Sequence, residues 1–238
     1  HRKSKGVTAA NFHENLVVEV LWTVIPALIL IVMAVPATTA LLKVYDTENP
    51  DIDIKVTGYQ WKWQYEYIGE GVKFMSELRT SQDEIYGRAP KGEHYLREVT
   101  QPLVIPTNKK VRFLITGNDV IHSWWVPDFG VKRDAVPGLF TAAWTKTDQP
   151  GTYVGECTDL CGLGHAFMPV VVEGKEEAEY EAWLAGKKEE AAIYASTIGK
   201  QWTFDELMVK GEQVYGRSCA GCHQANGEGI TGVFPALK

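Results

Sequence analysis

These 238 residues hold no glycine-rich nucleotide-binding motif and no internal repeat, so nothing in them points to nucleotide-driven chemistry or a repeat architecture. Positive charge is not in excess: 24 Lys and Arg against 30 Asp and Glu leave a net charge of -6. That balance argues against a nucleic-acid partner and leaves an acidic surface able to steer a basic one. An initiator methionine is missing, so His1 is expected to lie partway through a longer product. A small-residue cleavage pattern is also missing, and the apolar run near the start is too long for a cleaved signal peptide. Cysteine is scarce at four residues, and all four fall in two short motifs. At 45% apolar and 23% charged, the chain has what it needs to build a core.

The first motif is G-E-C-T-D-L-C-G-L-G-H-A-F-M from Gly155 to Met168, a C-x3-C-x3-H-x2-M spacing. Thiolate, thioether and imidazole together favour copper over hard cations. A mononuclear site needs one thiolate, so Cys157 and Cys161 together suggest two coppers bridged by both sulfurs. A local Cys157–Cys161 disulfide is the alternative. It gives no reason for His165 and Met168 to follow at these intervals, nor for Gly162 and Gly164 to loosen the backbone.

A copper pair needs a second histidine. His122, in D-V-I-H-S-W-W-V-P, follows the apolar strand Val111 to Ile115 after a turn and sits among tryptophans. His94 is the rival, but it lies in a polar stretch rich in charge and glycine. His122 is the better ligand.

The second cysteine motif is C-A-G-C-H at Cys219 to His223, the attachment pattern of a c-type haem. The two thiols bond the haem vinyl groups and His223 ligates the iron. A redox-active C-x-x-C is the other reading, and the adjacent histidine weighs against it. Met208 lies upstream, where a second axial ligand is not expected, so the haem module is expected to continue beyond Lys238.

Leu16 to Leu42 is nearly all apolar and exceeds the roughly 20 residues that span a bilayer. Pro26 and Pro36 fall inside it, which membrane helices tolerate. His1, Arg2, Lys3 and Lys5 precede it and Asp46, Glu48, Asp51 and Asp53 follow, so the start is expected inside and the rest outside. Glu19, one turn inside the helix, reads either as part of a proton pathway or as a side chain reaching back to the interface.

From Asp51 the pattern becomes short alternating runs with turn signals, including one at Gly58, as in an all-β sandwich or barrel. Y-Q-W-K-W-Q-Y-E-Y, Tyr59 to Tyr67, puts five aromatics on one face of a strand, with a bulge or bend near Gly58 where the apolar parity switches. At least three of the five rings are expected in the core. Glu173 to Thr197 reads as a helix packed on the barrel and leading into a linker.

In order along the chain, E-V-L-W-T-V-I-P, Y-Q-W-K-W-Q-Y-E-Y, D-V-I-H-S-W-W-V-P, K-R-D-A-V-P-G and the cysteine loop resemble subunit II of the haem-copper cytochrome c oxidases. The resemblance runs from about Asn15 to Trp183. C-A-G-C-H resembles the bacterial variants with a fused cytochrome c domain. The fold this implies is mainly β: a transmembrane helix, a cupredoxin-like Greek-key β-barrel, then the start of an α-helical cytochrome c module. The expected division is a cytoplasmic loop 1–14, transmembrane helix 15–43, copper domain 44–185, linker 186–203 and partial haem domain 204–238. Subunits of this family usually carry two membrane helices, of which this would be the second.

The resemblance also implies roles. Cys157 and Cys161 would bridge the coppers of a binuclear copper A centre, His122 and His165 would cap them, and Met168 would be a weak axial ligand. The backbone carbonyl of Asp159 would be the other axial ligand. The family usually has Glu there, whose side chain helps hold magnesium at subunit I, and the shorter Asp puts that second role in question. Trp61 matches the tryptophan that receives electrons, Glu66 and Asp119 match acids near the cytochrome docking face, and Glu19 matches the mouth of a proton channel. Haem c held by Cys219, Cys222 and His223 would feed the coppers, and subunit I would reduce oxygen to water with proton pumping. Expected partners are subunits I and III, cytochrome c or another periplasmic donor, and lipid of the bacterial inner membrane, with no nucleic acid. Nitrous oxide reductase would lack the membrane helix. A quinol-oxidase subunit would have lost the cysteines and Trp61. A free-standing membrane-tethered carrier would purify without large haem-bearing partners.

Overall fold

The structure, a computed structural model, describes residues 6, 13–230 and 235–237, without the side chains of 217, 218, 221 and 222. Most of the expected loop 1–14 therefore lies outside the described residues. The chain divides into two compact units, with the boundary in sequence between Lys188 and Glu189.

The first unit begins with α1, Leu16–Tyr45, a 30-residue helix with none of its residues buried. Asn15 caps it by accepting the N–H of Val18, and Glu19 Oε1 accepts the N–H of Asn15 at 3.2 Å, a reciprocal pair at the helix start. Glu19 therefore reaches back toward the helix end. At 1.5 Å per residue the helix is about 45 Å long, the full thickness of a bilayer with its headgroups.

Ten strands follow: β1 Ile52–Tyr59, β2 Lys62–Tyr67, β3 Val72–Ser76, β4 Leu103–Pro106, β5 Val111–Gly117, β6 His122–Val126, β7 Val131–Ala135, β8 Thr141–Thr145, β9 Gly151–Cys157 and β10 Pro169–Lys175. A one-turn helix, α2 Gln82–Ile85, sits between β3 and β4. The strands form two five-stranded sheets, β3-β2-β1-β5-β8 and β4-β10-β9-β6-β7. Most pairs are antiparallel, but β1 runs parallel to β5 and β4 to β10.

The inward faces of both sheets meet in one core that includes Trp63, Tyr65, Tyr67, Phe113 and Trp124. Tyr67 ties the sheets together, its hydroxyl donating to the carbonyl of Val104 and accepting the Val104 N–H. Trp124 Nε1 reaches the Tyr65 hydroxyl at 3.4 Å. Burial pushes both tyrosine hydroxyls above their ordinary range, so both stay protonated.

Two expectations need correction. The aromatic run Tyr59 to Tyr67 is not one strand, because the chain turns at Gln60–Trp61 between β1 and β2. This hairpin, and not a bulge at Gly58, switches the apolar parity. Gly58 lies inside β1, where a Cβ would come 2.8 Å from His122 Cδ2. Trp63, Tyr65 and Tyr67 are buried, while Trp61 stays 37% exposed.

The second correction concerns Glu173. The strand β10 runs to Lys175 and the helix α3 occupies Glu177–Thr197, so the helix begins four residues later than expected and ends at the expected Thr197. Tyr180 and Leu184 are buried, and Trp183 packs on Tyr67 at 5.3 Å between ring centroids.

The second unit contains α4, Phe204–Ser218, and α5, Ala220–His223. Thr203 and Glu206 form a capping box at the start of α4.

Candidate metal centre

Sheet register brings the first two ligands together. Trp124 of β6 pairs with Cys157 of β9, and the N–H of Thr158 continues the ladder to Ser123 O at 3.1 Å. His122 shares the inward face with Trp124, two residues on, so its ring lies against the end of β9. Nδ1 of His122 is 4.0 Å from Cys157 Sγ.

The loop from Cys157 to Met168 folds back on itself, the Cys157 N–H donating to Met168 O at 3.1 Å. This return places Cys161 Sγ 3.8 Å from Cys157 Sγ and 3.6 Å from His165 Nδ1. Both cysteines are free thiols. The donor atoms of His122, Cys157 and Cys161 lie within 4.8 Å of one another. Asp159 O stands 3.4 Å from Cys157 Sγ, and Met168 is 2% exposed. His94 is exposed and lines a separate cavity with Arg79 and Arg97.

Burial pushes both thiols up, but not equally. At Cys157 hydrogen bonds from the His122 ring and from neighbouring groups outweigh burial and bring the thiol down to about 7. At Cys161 burial, and then the charge of Cys157, push the thiol up to about 12. Cys157 therefore ionises before Cys161, and a cation bound to both sulfurs would displace the remaining protons. Two thiolates and two imidazoles in this compass fit a soft, thiolate-bridged metal pair.

Around the cluster runs a set of contacts that single residues did not announce. His122 is fully buried, and its Nε2 lies 2.8 Å from Asp119 Oδ1. Burial opposes the charge on each partner, yet their hydrogen bonds prevail, raising His122 and lowering Asp119. Asp119 Oδ2 also accepts the N–H of Gln60, whose Nε2 donates to Cys161 O, both at 2.8 Å. Trp61 Nε1 donates to the same carbonyl at 3.2 Å. A Cβ on Gly164 would lie 2.3 Å from Trp61 Cδ2, so the indole needs a glycine beneath it. Gly162, at φ +117, takes a conformation that favours glycine.

Asp119 and Trp61 thus belong to the metal loop's surroundings. Glu66 does not: it lies farther along β2 and pairs with Lys73 at 3.6 Å. Gln60 was missed from sequence, where only its place beside Trp61 marked it.

In the second unit His223 Nδ1 faces Pro235 O at 2.9 Å. A proton on Nδ1 in that contact sets the tautomer that presents Nε2 to a metal. Cys219 and His223 lie four residues apart, with the His223 N–H bonded to Cys219 O at 2.9 Å. This fits a haem on the C-A-G-C-H motif, although the Cys222 side chain lies outside the described residues.

Comparison with known proteins adds the family. The family model of "Cytochrome C oxidase subunit II, periplasmic domain" matches residues 52–175, which include every residue of the first cluster. The chain belongs to the cytochrome c oxidase subunit II family. The transmembrane domain of the same subunit matches residues 1–39, and a cytochrome c model matches 208–238. α1 is therefore the membrane anchor of a subunit II with a fused cytochrome c segment.

A probable cytochrome c oxidase subunit 2 of Rickettsia bellii is 40% identical over 184 residues, 77% of this chain and 66% of that protein. The cytochrome c oxidase subunit 2 of Cereibacter sphaeroides is 36% identical over 197 residues, 77% and 65% of the two chains. The chain spans 56–66% of the length of the curated relatives it matches. Among solved structures, the periplasmic domain of subunit II (CoxB) of Bradyrhizobium japonicum is 38% identical with a TM-score of 0.53, covering 60% of this chain and 96% of its own. A second, a mixed disulfide intermediate between a thioredoxin-like protein and subunit II of cytochrome c oxidase, is 37% identical with a TM-score of 0.51, covering 61% and 96%.

Proposed function

We propose that this subunit II relays electrons from haem c, or from an external cytochrome, through a binuclear copper centre to haem in subunit I, where oxygen is reduced to water with proton pumping. The observation that carries this reading is the convergence of Cys157, Cys161, His122 and His165 under Trp61. When bound, a copper pair and a c-type haem would supply one-electron relays whose change of charge is spread over many atoms.

The residues do the rest. Cys157, Cys161, His122 and His165 would hold the copper pair, with Met168 and the Asp159 carbonyl as further donors. Cys219, Cys222 and His223 would hold the haem. Trp61 offers a half-exposed indole hydrogen-bonded to the metal loop, a path inward for electrons. Asp119 fixes the His122 ring, and the closed sandwich keeps the ligands in place in both redox states. Magnesium at Asp159 would need ligands from subunit I. Glu19 would stand at the mouth of a proton channel in the assembled enzyme, with subunits I and III beside it in the bacterial inner membrane.

The test is paramagnetic resonance on the purified protein, with two coppers per chain sharing one unpaired electron as the expected result. A signal from a single isolated copper, or none, sinks the reading.

A second reading concerns loading. The sulfurs of Cys157 and Cys161 are 3.8 Å apart, near enough for a disulfide-bearing thiol oxidant to take two electrons and two protons from them and leave a disulfide, which binds no metal. A thioredoxin-like dithiol would restore them, its thiolate attacking one sulfur and its second thiol completing the two-electron, two-proton transfer. Trapping a mixed disulfide with a single-cysteine thioredoxin-like protein tests it, and no adduct from the oxidised chain refutes it.

A further inference from the structure

A cavity of about 390 Å³ opens where the membrane anchor meets the sandwich, lined by Val44, Asp128, Arg133, Trp144, Lys146 and Asp148 among others. Its depth in the membrane follows from the helix. α1 is long enough to cross a bilayer with its headgroups, and Val44 and Tyr45 are its last two residues, so the cavity lies in the outer headgroup layer. Trp144 fixes that level, its Nε1 donating to Val44 O at 3.1 Å as the indole lies where interfacial tryptophans gather. Arg133 stacks over the Tyr45 ring at 5.2 Å.

The charges around the cavity balance. Arg133 and Lys146 are basic, Asp128 and Asp148 acidic. Arg133 uses Nε and Nη1 on the carbonyls of Ala142 and Lys132, which leaves Nη2 for a ligand. No ion pair joins Lys146, Asp128 or Asp148 to another described residue. A phosphate suits the two cations. The two carboxylates repel a purely anionic lipid and accept hydrogen bonds from a primary ammonium, which a trimethylammonium cannot donate.

We propose that this cavity binds the phosphoethanolamine headgroup of an outer-leaflet phospholipid, its phosphate on Arg133 and Lys146 and its ammonium between Asp128 and Asp148. The lipid then pins the sandwich to the bilayer surface at the foot of the anchor. The residues lie outside the metal centre, so the site and the electron relay stand or fall separately.

The experiment is native mass spectrometry of the full chain in micelles, titrated with phosphatidylethanolamine, phosphatidylglycerol or phosphatidylcholine. Phosphatidylethanolamine is expected to bind about tenfold more tightly than the other two, the difference one charge-assisted hydrogen bond makes. Lys146→Gln should weaken it by about tenfold. Asp128→Asn with Asp148→Asn should remove the preference over phosphatidylglycerol. All are surface changes, and an unchanged far-ultraviolet circular dichroism spectrum and melting temperature certify the fold. Equal binding of the three lipids, insensitivity to these variants, or equally tight binding of soluble phosphoethanolamine overturns the lipid site. So does loss of a companion protein, in place of lipid, from the membrane-purified complex carrying Lys146→Gln.

Discussion

Nε2 of His122 lies 2.8 Å from Oδ1 of Asp119, while Nδ1 of the same ring points at Cys157 Sγ. The carboxylate therefore accepts the hydrogen bond of Nε2–H, the tautomer that leaves the Nδ1 lone pair free for a metal. Replacing Asp119 with Asn keeps the shape and removes the charge. Copper affinity should fall by about 10- to 100-fold, the usual effect of losing a ligand's hydrogen-bond partner. Competition with a chelator measures it, and unchanged affinity refutes the assignment.

The ligand set itself is separable from its rival. Cys157→Ser or His165→Ala should abolish the shared-electron signal and lower copper below two per chain. His94→Ala should leave both intact, because His94 lies in a different, exposed cavity. Loss of the signal in His94→Ala would return that residue to the site.

Gly164 supports Trp61 by what it lacks. A Cβ there meets Trp61 Cδ2 at 2.3 Å, a distance that real contacts do not reach, so Gly164→Ala forces the indole to move. Electron transfer from an external donor should slow on the order of 100-fold, the effect of misplacing a reacting group by about 1 Å. Stopped-flow reduction of the copper reads this directly. Copper content should hold, since no ligand has been changed.

The metal loop was legible because its ligands are close in sequence, and copper chemistry demands those atoms at that spacing. His122 was legible because its neighbours are apolar, so a lone imidazole among them needed a purpose. Gln60 was not. Its bonds to Asp119 and Cys161 arise only when β1 and β5 pair in parallel with Gly58 opposite Gly117, and nothing local encodes that register. The hairpin at Gln60–Trp61 was hidden for another reason: neither residue is a glycine, proline, asparagine or aspartate, so the aromatic run looked unbroken. Glu173 to Lys175 has the composition of a helix start, but pairing with β9 and β4 overrides local preference.

The start of α4 carries a pH dependence. Glu206 accepts the N–H of Thr203 and pairs with Lys200, which together lower its carboxyl to about 2. A carboxyl whose folded pKa lies below its unfolded value of 4.5 stabilises the fold fully above the latter. That contribution is lost as pH falls from there through about 2. Amide protection factors at Thr203 to Leu207, corrected for the intrinsic exchange rate, should therefore fall over that window in the full chain. Glu206→Gln should flatten the dependence, and an unaltered profile would sink the capping argument.

Tyr67 and Tyr65 are both buried tyrosines of β2, but their hydroxyls do different things. That of Tyr67 bridges the sheets through two bonds to Val104, donating to its carbonyl and accepting its N–H. β4 is an edge strand, so this N–H has no strand on its other side to pair with. Tyr67→Phe leaves a donor and an acceptor of a 1% exposed residue unpaired, which costs about 1–3 kcal/mol. The Tyr65 hydroxyl meets only Trp124 Nε1 at the long distance of 3.4 Å, so Tyr65→Phe should cost about 1 kcal/mol or less. Urea unfolding of the two variants tests the order, with the slope unchanged because the same surface is exposed. The copper signal should persist in both. A larger loss for Tyr65→Phe would mean that Val104 finds another partner, and that the sandwich is closed by ring packing and not by this bridge.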